Sequence, residues 1–203
     1  APRPPPPDIL LQLAQYRPPA TEPAAAPAPL TLEQESERAA RLHATLHQVL
    51  AGEEAAFRPA GLLYQDFCTR LRILEIEGAP DFSAFRRMLA NARAGVTPGE
   101  AETPDWQAAT ARAEALPEDA QGVYLLIARA ARDGLPCPSD AAIARAYGTH
   151  SAGRARRLLG WLEERKAVVL RTERGGRRIA LVGLGWETAA GDPNGPAEAP
   201  AAA

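Results

Sequence analysis

Apolar positions recur at helical spacing through most of this chain and alternate in the manner of a strand only near residue 170. Three consecutive segments each carry one apolar stripe. Thr31 can cap a helix from Leu32 to Phe57 that sets Ala39, Leu42, Leu46, Val49 and Leu50 on one side. Leu63, Phe67, Leu71 and Leu74 mark a second helix over residues 60–76. Asp81 opens a third, with Phe82, Phe85, Met88, Leu89 and Ala92 on one face and Gly95 at its end. Helices with one apolar face must bury it against another element, so residues 30–95 are expected to form a small helical unit. Residues 96–116 read as a linker with a short helix, capped by Asp105, whose Trp106, Ala109, Ala113 and Leu116 brace the next domain.

From residue 117 the order helix, helix, helix, hairpin is predicted. Pro117 starts a helix whose first turn holds Glu118 and Asp119, suited to the positive end of the helix dipole. Val123, Leu126, Ile127 and Ala130 face inward, and Asp133-Gly134 ends it. Pro136 and Pro138 force a stretched connection to Ser139, which caps a short helix carrying Ile143, Ala146 and Tyr147 towards the core. Gly148 stops that helix, and the turn Gly148-Thr149-His150 leads to Ser151, cap of a third helix with Ala155, Leu158, Leu159 and Leu162 as its buried stripe. Two strands then flank Gly175-Gly176, a pair suited to a tight turn. Pairing around that turn sets Leu170 opposite Leu181 and Thr172 opposite Ile179, with Glu173 facing Arg178 and with Arg174 and Arg177 at the tip.

Composition narrows the class. Aromatics make up only 5% of the chain while Ala supplies much of its apolar content, so its cores should be small and helical. The 20 prolines crowd towards the ends and joints, and residues 1–29 and 189–203 are expected to be disordered Pro/Ala-rich tails. The first tail carries a short helix, with Ile9, Leu10, Leu13 and Tyr16 on one stripe after Asp8. Neither a long apolar run nor a basic-then-apolar start occurs, so no membrane contact is expected and a cytoplasmic, nucleoid-associated protein is. Cys68 and Cys137 lack CxxC spacing or a flanking His, and read as reduced structural cysteines. His43 and His47 lie one helical turn apart but lack a third ligand, so neither a metal nor another cofactor is expected.

The net charge of −2 conceals a segregation. Residues 1–116 hold 11 Arg and 15 acids, for −4, whereas residues 145–178 hold ten basic and three acidic residues, for +7. On the third helix of the 117–188 segment, the face opposite the apolar stripe carries Gly153, Arg157 and Gly160, flanked by Arg154, Arg156 and Trp161. This helix is the second of a helix-turn-helix, the element that enters a major groove, where Arg can hold guanine O6 and N7 or a phosphate. The small residues let the backbone approach closely. A basic hairpin beside it suits contact with phosphates or a minor groove.

The run GLPCPSDAAIARAYGTHSAGRARRLLGWLEERKAVVLRTERGGRRIAL resembles the winged-helix DNA-binding domain of the LexA repressor and its relatives. The likeness lies in the Pro-Ser before the second helix, the Ala-rich helix pair and the Leu-Glu before the hairpin, and covers about a third of the chain. It implies a mainly α fold with a small β-hairpin, a recognition helix beginning at Ser151 and a wing over residues 171–178. The family's self-cleaving Ser-Lys chemistry is not carried over, since Lys166, the only lysine, lies inside the winged-helix segment.

The candidate DNA-binding residues are therefore Ser151, Gly153, Arg154, Arg156, Arg157, Arg171, Arg174, Arg177 and Arg178, in a winged helix-turn-helix domain over 117–188 that reads double-stranded DNA as a bacterial transcriptional regulator. The alternative is a winged helix used for protein contact in a transcription or replication complex. An enzyme is not expected, since no phosphate loop, Gly-x-Ser-x-Gly or dinucleotide fingerprint occurs. Trp161 is the one exposed aromatic candidate, which disfavours single-stranded nucleic acid. The acidic unit at 31–95 is either a homodimerisation module or a docking site for a protein partner, and residues 8–17 are a second candidate partner segment.

Overall fold

The computed structural model describes residues 31–197, apart from Glu53 and Gly175. The expected helix of residues 8–17, the rest of the first tail, and residues 198–203 lie outside the described residues. Among the described residues the fold is mainly helical: α1 Leu32–Leu50, α2 Ala60–Ile73, α3 Phe82–Ala94, α4 Pro98–Ala101, α5 Pro104–Glu114, α6 Glu118–Arg132, α7 Asp140–Tyr147 and α8 Ala152–Glu164, followed by the antiparallel strands β1 Val168–Glu173 and β2 Gly176–Leu181. None of these helices is long and apolar enough to cross a membrane.

Local chemistry sets many of the helix ends. Thr31 closes a capping box with Gln34, and Asp81, Ser139 and Ser151 each accept a backbone N–H from the first turn of their helices. Gly95 and Gly148 take the left-handed conformation that ends α3 and α7. The first helix stops at Leu50 instead of Phe57: after Gly52 the chain turns, and Ala55–Phe57 form a separate 3-10 turn. The second ends at Ile73, and Leu74, expected in its buried stripe, is 43% exposed.

The apolar faces of α1, α2 and α3 meet around Leu46, Leu63, Phe67 and Phe85, all fully buried. A second core gathers Trp106, Tyr124, Ile127, Ile143, Leu159 and Ile179. Helix α3 serves both: Phe85, Leu89 and Ala92 enter the first core, while Ala90 and Ala94 enter the second. The cores are further tied by Arg129, which donates to the Ala94 carbonyl at 3.1 Å and to that of Gly95, placing a cation at the negative end of α3. Arg86 of α3 forms an ion pair with Glu118 of α6.

Residues 96–116 are therefore not a linker. Val96 is buried, Thr97 closes a capping box on α4, and Trp106 of α5 is wholly enclosed, its indole N–H donating to Asn91 Oδ1 at 3.1 Å. Burying a side chain of this size commits α5 to the second core, since an aromatic that large dominates a small core's energetics. Helix α6 lies at the centre: Val123 and Ile127 point inward as expected, and Gly122, Tyr124, Leu125, Ala128 and Ala131 are buried too. It packs against α3, α5, α7 and β2, which leaves it no broad solvent face.

The hairpin has a different register from the one anticipated. Leu170 pairs with Ile179, Val168 with Leu181, and Glu173 with Gly176, so residues 174 and 175 make the connection. A shift of two residues keeps every side chain on its expected face, which is why alternation alone does not detect it. The physical reason lies beyond the hairpin. Gly176, at φ 123°, has Gly191 so close that a Cβ would collide with its backbone, so this glycine serves close approach instead of the turn.

Residues 189–197, expected to be disordered, form a strap between β2 and the stretch before α7. Arg177 and Gly191 exchange both backbone hydrogen bonds at 2.8 and 2.9 Å, and Cys137 N donates to Ala189 O at 2.9 Å. Asp140 N donates to Pro193 O at 2.8 Å, and Ser139 Oγ to Pro196 O at 2.9 Å. The strap thus satisfies backbone groups on two segments that would otherwise lack partners.

Candidate functional site

Helix α8 presents a close group of exposed cations. Ala155, Leu158, Leu159 and Leu162 are buried as the stripe requires, and they hold the helix against the second core. Ser151 accepts from the Arg154 amide at 3.3 Å and fixes where the helix starts. Arg154, Arg156 and Arg157 are all exposed on its first two turns. The Arg157 guanidinium lies over Gly153, where an added Cβ would be 3.7 Å from its Nη1, while nothing approaches Gly160.

Arg154, Arg157 and Trp161 line an open cleft of about 560 Å³ together with Pro117, Asp119, Ala120, Tyr147 and Leu158. Arg165 stacks over the Trp161 ring at 4.8 Å. The Tyr147 hydroxyl donates to Asp119 at 2.9 Å, and that bond to a carboxylate pushes its pKa up. Among the described residues, Arg154 and Arg157 have no carboxylate within ion-pair distance. Arg156 lies 3.7 Å from Asp140 through a side chain that remains 64% exposed.

The hairpin residues divide. Arg174 is exposed at the connection. Arg171 pairs with Glu187 at 3.1 Å, and Arg178 with Glu173 at 3.4 Å, so each carries a local counter-charge. Arg177 does not belong to an exposed surface at all. It is 8% exposed, on the inward face of β2 with Ile179 and Leu181, and its guanidinium reaches Asp140 Oδ1 at 2.6 Å, the Pro138 carbonyl at 2.7 Å and Cys137 Sγ at 3.3 Å. Burial opposes its charge, but the bonds to Cys137 and Asp140 outweigh that effect and hold it charged. Arg177 is therefore removed from the candidate contact set. The signal was present in the alternation, which puts 177, 179 and 181 on one face.

Sequence reasoning also missed Asp140. It sits at the first turn of α7, is 4% exposed, and joins the inward hairpin cation to Arg156 of α8. Cys137, beside it, has its thiol pKa raised by burial, with Arg177 pulling the other way. His43 and His47 approach to 3.2 Å through their Nε2 atoms; burial and then the neighbouring His47 lower the His43 pKa. Among the described residues no group of three or more His, Cys, Asp or Glu is arranged to hold a metal ion. No family model matches this chain, and no curated protein or solved structure matches it.

Proposed function

We propose that the segment from α6 to β2 is a winged helix-turn-helix of the LexA-like kind, and that the protein binds double-stranded DNA as a transcriptional regulator. In this reading α8 is the recognition helix, α7 supports it across the backbone, and the β1–β2 hairpin is the wing. The observation that carries it is the exposure of Arg154 and Arg157 side by side at the start of α8, without a carboxylate partner among the described residues. Exposed side chains of this type at a helix start, flanked by Gly153 and Gly160, suit hydrogen bonding to base edges and phosphates in a major groove. Arg174 extends the same positive surface to the wing, and Arg156, Arg171 and Arg178 contribute with their charges partly answered.

The experiment is a gel-shift titration of the full chain with random duplexes at increasing salt. Duplex binding whose affinity falls linearly with salt on logarithmic axes supports the reading. Absence of duplex binding at low salt would transfer α8 to the protein-contact alternative, with an acidic protein surface as its partner. A homodimer is part of the proposal, since paired recognition helices reach successive major grooves about 34 Å apart. The apolar faces of α1 to α3 are largely consumed in the two cores, and of the apolar side chains the unit leaves exposed, which include Leu32, Leu74 and Phe82, Leu62 and Ile73 share one side of α2 and are assigned as the dimer contact. Sedimentation of Ile73→Glu against the parent protein tests it.

A further inference from the structure

A second cleft, of about 440 Å³, opens where the turn at Phe57 and helix α3 face the start of α6 and the end of α7. Its walls are largely apolar, with Phe57, Pro59, Phe82 and Leu89 on one side and Gly122 and Ala146 on the other. Five charged side chains also line it, and most are already matched. Arg58 pairs with Asp66 at 2.6 Å and Arg86 with Glu118, while Asp119 accepts from the neutral Tyr147 hydroxyl at 2.9 Å and has no cation within ion-pair distance among the described residues. Among the three cations Arg93 is the exception. Its Nη2 donates to the Ala56 carbonyl at 3.2 Å, its Nε is buried without an acceptor, and no carboxylate pairs with it among the described residues. Burial lowers its pKa, the direction expected of a cation withdrawn from water without a counter-charge.

We propose that this cleft binds a small organic monocarboxylate with an apolar body, the carboxylate held by Arg93. The volume lies within the range of small-molecule sites, which are mostly apolar with a few polar groups that fix orientation. The planar guanidinium matches a carboxylate bidentately. A phosphate dianion suits the cleft less, because Glu118 and Asp119 stand at the same wall and one unmatched cation answers one negative charge. Occupancy reaches α8 along two short routes. Phe57 stacks on His150, immediately before the cap Ser151, with ring centroids 3.6 Å apart, and Tyr147 with Asp119 lines both this cleft and the one beside Arg154.

The test needs no DNA and so stands apart from the DNA-binding reading. The full chain, labelled for amide NMR, is titrated with benzoate, phenylacetate and hexanoate, and in parallel with phenylacetamide and phenyl phosphate. At least one acid is expected to give saturable shifts at Phe57, Arg93, Gly148 and His150 at millimolar concentration. Arg93→Gln, which removes the guanidinium charge and keeps a polar side chain, is expected to weaken that acid roughly tenfold or more, as loss of a hydrogen bond to a charged group does. Ala60→Phe, which fills the cleft and leaves Arg93 in place, is expected to abolish it, and decides the matter if Arg93→Gln does not fold. The proposal is overturned if none of the acids shifts these residues, if phenylacetamide or phenyl phosphate binds as tightly as the acid, or if either folded variant binds like the parent.

Discussion

Arg177 Nη1 donates to Asp140 Oδ1 at 2.6 Å, with both side chains less than a tenth exposed, and the pair fastens β2 to the first turn of α7. Cutting one half of such a pair leaves an uncompensated buried charge, which costs about 3 to 5 kcal/mol. Arg177→Ala is therefore expected to lower the urea midpoint sharply. Arg174→Ala, three residues earlier and exposed, is expected to stay within about 0.5 kcal/mol of the parent. Equal midpoints for the two variants would contradict the assignment of Arg177 to the interior.

The DNA-binding proposal separates Arg157 from Arg174. Arg157 lies opposite the buried stripe of α8 and is assigned in that proposal to base edges, so Arg157→Ala is expected to cost about 1 to 3 kcal/mol and to relax preference at one base position. Arg174, at the hairpin connection, is assigned to phosphate or the minor groove, so Arg174→Ala is expected mainly to weaken all sequences alike and to reduce the salt slope by about 1. Selection from random duplexes, repeated at two salt concentrations, reads both effects. An unchanged selected motif in Arg157→Ala would show that α8 does not read bases.

Fragment boundaries follow the second core. Residues 96–197, with Val96, Trp106 and the strap, are expected to give a cooperative thermal transition by circular dichroism. Residues 117–188 lack Trp106, Ala109 and Ala113 from that core, all at most 1% exposed, and are expected to lose cooperativity. Leaving large core positions unfilled costs several kcal/mol, comparable with the whole stability of a small domain. A shorter fragment melting like the longer one would assign the strap and α5 no part in stability.

Acid is expected to destabilise the α1–α3 unit through His43. Its folded pKa is lowered, by burial first and by His47 second, so in the folded state it favours the neutral ring. The unfolded chain then binds more protons as pH falls through about 6.5, and stability declines with it. His43→Gln is expected to flatten the dependence of the melting temperature between pH 7 and 5, measured on the full chain. An unaltered pH profile would remove His43 as its source.

Much of this protein is written locally. The stripes Leu42-Leu46-Val49, Phe67-Leu71 and Leu158-Leu159-Leu162, the caps Thr31, Asp81, Ser139 and Ser151, and the stops Gly95 and Gly148 are all legible, because helix periodicity and end chemistry involve residues within a few positions of one another. The exposed face of α8 follows from its buried one. What remained was decided by partners far along the chain. Sequence leaves the hairpin free to slide by two residues, since the faces are unchanged, and only the approach of Gly191 to Gly176 and the grip of Asp140 on Arg177 select the register. Composition marks residues 189–197 as a tail, yet their backbone groups find unpaired donors and acceptors on β2 and before α7, which no local pattern reveals. The cleft beside Arg93 likewise exists only because α3 belongs to two cores and brings the turn at Phe57 against His150, a contact between residues more than ninety positions apart.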